Sequence, residues 1–271
     1  MSALVGVQDF SRLSPNSGRR ILIVGGCGGI GRPLVKACAE MGLEVAVFAL
    51  QRSIDAHPVP EGVIAFAVDA ADDKSVKEGL SALTAQWDSV DILVFLVGFM
   101  SVPPSTIEEM PIEEWDAIAA GNLRSAFMVS AATLPLLKRG KEPNIVMVGS
   151  SLAYNPISGE SAYAAAKAGL VALTKSLAIE NAPKIRANLV APSAIETSFL
   201  AGGGGERGIK ALNSGGDEWF RKMSDAYVPT IPMRRIAQPE DIVGPILFLA
   251  GPTASFITGQ VIHVNGGRVT P

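Results

Sequence analysis

Short uninterrupted apolar runs alternate along the chain with longer segments whose apolar positions recur every three or four residues. The runs lie at 21–24, 45–50, 64–68, 92–97, 145–148, 187–190 and 261–264. They are continuous instead of alternating apolar with polar, as strands buried on both faces are. Between them, 32–41, 73–87, 113–138, 161–180 and 239–249 carry the helical period. This βαβα rhythm predicts an α/β chain with one doubly wound parallel sheet of about seven strands, helices on both faces and right-handed crossovers.

The length of 271 residues accommodates one such domain, expected over 19–271, with 1–18 as an N-terminal tail. One stretch breaks the rhythm. Residues 197–234 hold Gly202–Gly205, Gly215–Gly216 and the X-Pro sites Pro229 and Pro232, which reads as a substrate loop or lid.

Composition narrows the chemistry. Hydrophobic residues make up 48% and charged residues 18%, ample for a core. A net charge of −3 provides no global field for nucleic acid. The mean hydropathy of +0.31 raises the question of a membrane. The longest apolar runs, 92–100 and 242–251, reach about half the length of a spanning helix. A soluble cytoplasmic protein without a membrane partner is expected. With only His57, His263, Cys27 and Cys38 available, neither a His/Cys metal cage nor a disulfide scaffold is expected, so no metal is assigned. Both histidines read as structural. Cys27 falls in a glycine-rich turn and Cys38 on the helix after it, a separation that disfavours a disulfide.

That turn, ILIVGGCGGIG, sets Gly25, Gly29, Ile30 and Gly31 between the first strand and the first helix. Glycine permits a tight turn and a close approach of backbone to pyrophosphate. The helix start offers free N–H groups to the anion. A lone glycine motif is weak; strand-turn-helix context strengthens it. The second strand ends in Ala49-Leu50-Gln51-Arg52, without the acid that would bond a ribose 2′-hydroxyl. Arg52, with Arg32 as a second candidate, suits a 2′-phosphate, so NADP is favoured over NAD. A solvated surface arginine is the plainer alternative for Arg52. Asp69 ends the third strand, where it can either bond an adenine amino group or cap the next turn.

Ser161-Ala-Tyr163-Ala-Ala-Ala-Lys167 opens a helical segment. A spacing of four puts Tyr163 and Lys167 on one helix face. A nearby ammonium favours phenolate and makes tyrosine a usable proton donor and acceptor. Ser150 ends a strand thirteen residues earlier and can bind a carbonyl oxygen, with Ser151 as its rival. Asn122, a mediocre helix former inside a helical segment, can hold a water that passes protons. Pro192 and Ser193 follow another strand, where backbone groups can meet a nicotinamide ring.

Together, VGGCGGIG, Asp69, GNLRSAF, VGSS, YAAAK, RANLVAPSAIET and ITGQVIHVNGG resemble the short-chain dehydrogenase/reductase family, roughly from Arg19 to Gly267. The resemblance is nearest to the simple branch of 3-oxoacyl and carbonyl reductases. It implies a Rossmann-type domain that moves hydride between a nicotinamide and a carbonyl or secondary alcohol. It also implies that Tyr163 is the acid/base, Ser150 the oxygen binder and Asn122 the holder of a relay water. Lys167 is implied to hold the nicotinamide ribose and to depress the Tyr163 pKa. Pro192 and Thr197 are implied to sit at the nicotinamide. The chain departs from the family where Phe95-Leu96-Val97-Gly98 stands for Asn-Asn-Ala-Gly, keeping only Gly98. Tyr154, Phe199, Leu200, Trp219 and Met223, with Phe99 and Met100, are candidates for an apolar substrate pocket, which points to a hydrophobic ketone or acyl substrate. The alternatives are an NADP-binding regulatory or scaffold protein without turnover, and an epimerase or dehydratase. Segments 113–138 and 161–180 are apolar on more than one face, so a homotetramer, or a dimer, is expected.

Overall fold

The structure, a computed structural model, describes residues 13–101, 103–197, 199 and 224–270. Its seven strands are β1 (Arg20–Val24), β2 (Glu44–Ala49), β3 (Ile64–Ala67), β4 (Ile92–Phe95), β5 (Asn144–Val148), β6 (Arg186–Pro192) and β7 (Val261–Val264). They form one sheet in the order β3-β2-β1-β4-β5-β6-β7, with every neighbouring pair parallel. This is the expected Rossmann-type doubly wound sheet. The strand order reverses between β1 and β4, and such a reversal opens a crevice at the strands' carboxyl ends.

The helices are α1 (Gly31–Glu40), α2 (Gln51–Ala56), α3 (Asp73–Thr84), α4 (Ile112–Ala119), α5 (Ser125–Leu137), α6 (Ser161–Asn181) and α7 (Glu240–Ala250). Two points differ from the sequence expectation. Helix α2 is new: it buries no residue, so it has no apolar stripe to announce it. The single helix expected over 113–138 divides into α4, a π-turn (Ala120–Arg124) and α5.

Alternation along each strand builds two cores. Leu22, Val24, Leu93, Phe95, Ile145 and Met147 pack toward α3, α5 and α6. Ile21, Ile23, Ile92, Val94, Val146 and Val148 pack toward α1 and α7. Full burial of each such side chain contributes about 1.5–3 kcal/mol. Phe95, where the family that the sequence resembles carries a polar residue, is wholly buried in the first core. At the amino ends of the strands, Asp91 ties the start of β1 to the turn before β5. Its carboxylate pairs with Arg19 Nε at 3.1 Å and accepts from the N–H groups of Arg20 (2.9 Å) and Lys141 (2.6 Å). The opposite, carboxyl ends are left free for the site.

Among the described residues, only α6 is long and apolar enough to cross a membrane. It is a core helix, with Leu170, Val171, Leu177 and Ala178 packed on the sheet.

Candidate active site

The chain leaves β1 through Gly25 at φ +88°, a left-handed conformation that glycine adopts freely. Side chains are also excluded at three further glycines of the turn. A Cβ at Gly26 would stand 2.7 Å from Val47, and one at Gly29 would stand 2.5 Å from the Thr197 methyl. One at Gly31 would collide with the Gly25 and Gly26 carbonyls. Gly26 is therefore as constrained as the glycines singled out in the sequence. Its signal was its place in the same run.

The turn opens into a cavity of about 530 Å3 that extends to Tyr163 and is lined by Gly25, Gly29, Ile30, Gly31, Arg52, Asp69, Gly98, Pro192, Thr197 and Lys167 among others. These residues fit a dinucleotide: bare backbone and a helix start at one end of the cavity, hydrogen-bonding side chains at the other. Arg32, Arg52 and His57 also line it, and no acidic residue ends β2. Among the described residues, neither arginine is paired with a carboxylate. The Asp69 carboxylate accepts from the Ala71 N–H at 2.9 Å, whereas Asp72 caps α3 by accepting from Lys74 N–H at 3.0 Å. Asp69 is thus at the cavity wall and Asp72 is the helix cap. Cys27 and Cys38 are free and buried.

Tyr163 and Lys167 sit on the first turns of α6. Lys167 Nζ lies 5.5 Å from the Tyr163 ring centre and donates to the Val148 carbonyl at 3.1 Å. Ser150 closes β5 and accepts from the Leu152 N–H at 3.1 Å, and its hydroxyl also hydrogen-bonds Tyr163. Ser151 lines the cavity too, with its hydroxyl unpaired. Asn122 is wholly buried in the π-turn, a device found often at functional sites. Its Nδ2 donates to the carbonyls of Phe99 (2.8 Å) and Ile118 (2.9 Å), while its Oδ1 is unpartnered. That oxygen faces Gly98. A Cβ on Gly98 would collide with it and come within 3.1 Å of Lys167 Nζ.

Burial governs the proton equilibria. It pushes the Tyr163 phenol well above its ordinary range; the Ser150 hydrogen bond opposes this and the Glu160 charge adds to it. It pulls the Lys167 ammonium down to about 7. The protein alone therefore does not produce the lowered tyrosine pKa expected from the Lys167 spacing. A lysine half-charged near neutrality gives little help against desolvation. Glu160, one turn before Tyr163, was not singled out in the sequence. It is 1% exposed, lines the cavity, and burial raises its carboxyl to about 7, assisted by Glu114 and opposed by the Ser101 N–H. Its signal was an acid placed one turn ahead of Tyr163, but only tertiary structure shows that it is buried.

Some pocket candidates move. Tyr154 does not line the cavity; its ring stands edge-on to His263 of β7, with the ring centres 4.7 Å apart. Phe99 fills the space over Gly121 instead of the cavity. Met100 and Phe199 do line it, with Phe199 5.8 Å from the Tyr163 ring. Leu200, Trp219 and Met223 lie outside the described residues. So does most of the expected loop over 197–234; of its described ends, Thr197, Phe199 and Tyr227 line the cavity.

Comparison with known proteins agrees with this geometry. The family model described as enoyl-(acyl carrier protein) reductase matches residues 25–268. A 3-oxoacyl-(acyl-carrier-protein) reductase of Vibrio cholerae is 33% identical over 254 residues, covering 92% of this chain and 97% of that one. The same-named protein of Thermotoga maritima is 29% identical, with 93% and 98% covered. A short-chain dehydrogenase/reductase structure from Brucella melitensis, titled glucose/ribitol dehydrogenase, superposes with a TM-score of 0.83 at 27% identity, covering 95% and 99% of the two chains. Aldohexose dehydrogenase of Thermoplasma acidophilum gives 0.78 at 27% identity, with 94% and 98% covered. Fold and site define a nicotinamide-dependent oxidoreductase. The chain belongs to the short-chain dehydrogenase/reductase family.

Two outcomes follow from the packing and charge of the site. Gly98→Ala should lower turnover by about two orders of magnitude or more while far-UV circular dichroism stays native, because the new methyl displaces Asn122 Oδ1 and Lys167 Nζ together. Glu160→Gln should stabilise the protein, and the gain should depend on pH. The native state keeps the Glu160 proton up to about 7 while the unfolded chain releases it near 4.5. Wild-type stability therefore falls as pH rises through that window. Thermal melting should show little gain for the variant near the lower limit and a gain on the order of 2 kcal/mol above the upper one.

Proposed function

We propose that the protein is an NADP(H)-preferring carbonyl reductase, with NAD as the second choice, acting on a ketone or acyl carbonyl that carries a hydrocarbon part. The observation that carries this reading is the meeting of Ser150, Tyr163 and Lys167 at one end of the cavity that begins at the glycine turn. The cofactor, when bound, supplies the hydride. Ser150 holds the carbonyl oxygen and Tyr163 gives it a proton. Reduction needs Tyr163 protonated beforehand, and burial ensures this at neutral pH. Lys167, at a pKa of about 7, can gain and lose a proton near neutrality. The free Asn122 Oδ1 beside it can hold a water that returns the proton to Tyr163. Gly25, Gly29, Ile30, Gly31, Asp69, Gly98, Pro192 and Thr197 are assigned to the cofactor, and Arg52, with Arg32, to a 2′-phosphate.

An apolar wall of Met100, Leu152, Ile157, Phe199 and Tyr227 supports a hydrophobic moiety on the substrate. The named activity of the 3-oxoacyl relatives is consistent with it. A binding-only scaffold has no use for a buried tyrosine–lysine pair, which weighs against that alternative. Self-association, as a homotetramer or dimer, is supported by the exposed Trp115, Phe127 and Ile179 on α4, α5 and α6.

Tyr163→Phe should reduce ketone turnover by three orders of magnitude or more with nicotinamide affinity within a few-fold of wild type; activity near wild type in this variant would refute the assignment. Arg52→Ala should weaken NADPH binding about tenfold or more and leave NADH binding nearly unchanged, as read by fluorescence titration.

A further inference from the structure

Glu160 is the least explained group in the cavity. Both carboxylate oxygens are buried and no group meets them in full hydrogen-bond geometry, the Ser101 N–H being close but poorly aligned, and the residue is 1% exposed. It stands at the start of α6, yet its side chain makes no capping bond there. Among the described residues, the charged and titratable groups around it are Glu114 on α4 and Tyr163 on its own helix, and the Ser101 N–H is a donor near it. Among the described residues it has no cationic partner. A buried carboxylate without partners is costly unless something arrives to pair with it.

Three more orphaned oxygens share its cavity. The hydroxyls of Ser101, Ser151 and Ser193 are buried and unpaired, and all three residues line the wall with Glu160. A substrate made only of hydrocarbon around its carbonyl would seal all of these groups away from water.

We propose that Glu160, with the Ser101 hydroxyl, forms a substrate subsite for a hydrogen-bond donor, a hydroxyl or an ammonium, carried next to the reacting carbonyl. This rests on the carbonyl-reductase reading and deepens it. The Glu160 carboxylate accepts from the donor, and the Ser101 hydroxyl completes its partners. The hydrocarbon part lies against Met100, Ile157 and Phe199. Glu160 precedes Tyr163 by three residues and both line the cavity, so the donor is placed on the carbon adjacent to the carbonyl. Polar recognition of this kind discriminates strongly, since a substrate lacking the donor leaves buried groups unpaired.

The test compares three probes with the wild-type enzyme and NADPH: an eight-carbon methyl ketone, its α-hydroxy derivative and its α-dimethylammonium derivative. At least one derivative should exceed the parent ketone about tenfold or more in kcat/KM, chiefly through a lower KM. A larger effect with the ammonium identifies charge pairing, and one with the hydroxyl identifies a neutral donor. Glu160→Leu should bring the ratio of derivative to parent close to one. Parent turnover equal to or above that of both derivatives would overturn the subsite while leaving the reductase reading intact, as would a ratio that persists in Glu160→Leu. Failure to reduce any of the three probes, or any other carbonyl, would instead count against the reductase reading.

Discussion

The site depends on one place where no side chain can stand. Where the chain leaves β4 at Gly98, the backbone passes so close to Asn122 Oδ1 and Lys167 Nζ that a methyl group would strike the first and crowd the second. Three elements meet there: the end of β4, the π-turn before α5, and the second turn of α6. Each is held by its own packing, and contact at Gly98 fixes their spacing. Ser150 reaches the same place because β5 pairs with β4 in parallel, so their carboxyl ends finish side by side. The glycine turn joins the same cavity because β1 flanks β4 on its other edge. The parallel sheet is thus a device for bringing three chain segments to one rim, and the missing Cβ lets them touch.

The second constraint is electrostatic. Almost every titratable group at the chemical end of the cavity is shielded from water, and the charged form of each is penalised accordingly. Tyr163 holds its proton, Lys167 yields its own near neutrality, and Glu160 keeps its own up to about the same pH. Such a site is near electrical neutrality before any ligand arrives. Each charge brought in by a ligand is then weakly screened and strongly felt.

Much of this was legible in the chain. Continuous apolar runs reveal a sheet buried on both faces, and the order of strand, glycine turn and helix marks the cofactor end. Tyr163 and Lys167 are readable because a helix repeats nearly every four residues. What escaped did so for physical reasons. Helix α2 buries nothing and leaves no stripe. Gly26 is indistinguishable by type from its neighbours, and its need comes from Val47 on another strand. Tyr154 is close to Ser150 in sequence, but the short 310 turn Ser151–Ala153 carries it toward His263. Glu160 is an acid whose burial depends on segments far away in sequence. The tyrosine pKa was misjudged because spacing shows that a lysine is near and does not show how dry the place is.

The π-turn has a consequence for the geometry of the helix as a whole. One residue added to an α-helical turn rotates everything after it by about 100° about the axis. Segments α4 and α5 therefore look outward in different directions, although they form a continuous rod from Ile112 to Leu137. A helical wheel drawn through 113–138 superimposes two stripes that are out of phase. Part of the apolar character spread around that segment is this phase shift, which the wheel cannot distinguish from a helix covered on two sides. The insertion that sets Asn122 Oδ1 against Gly98 thus also sets which flank of the rod meets the sheet and which meets the surroundings.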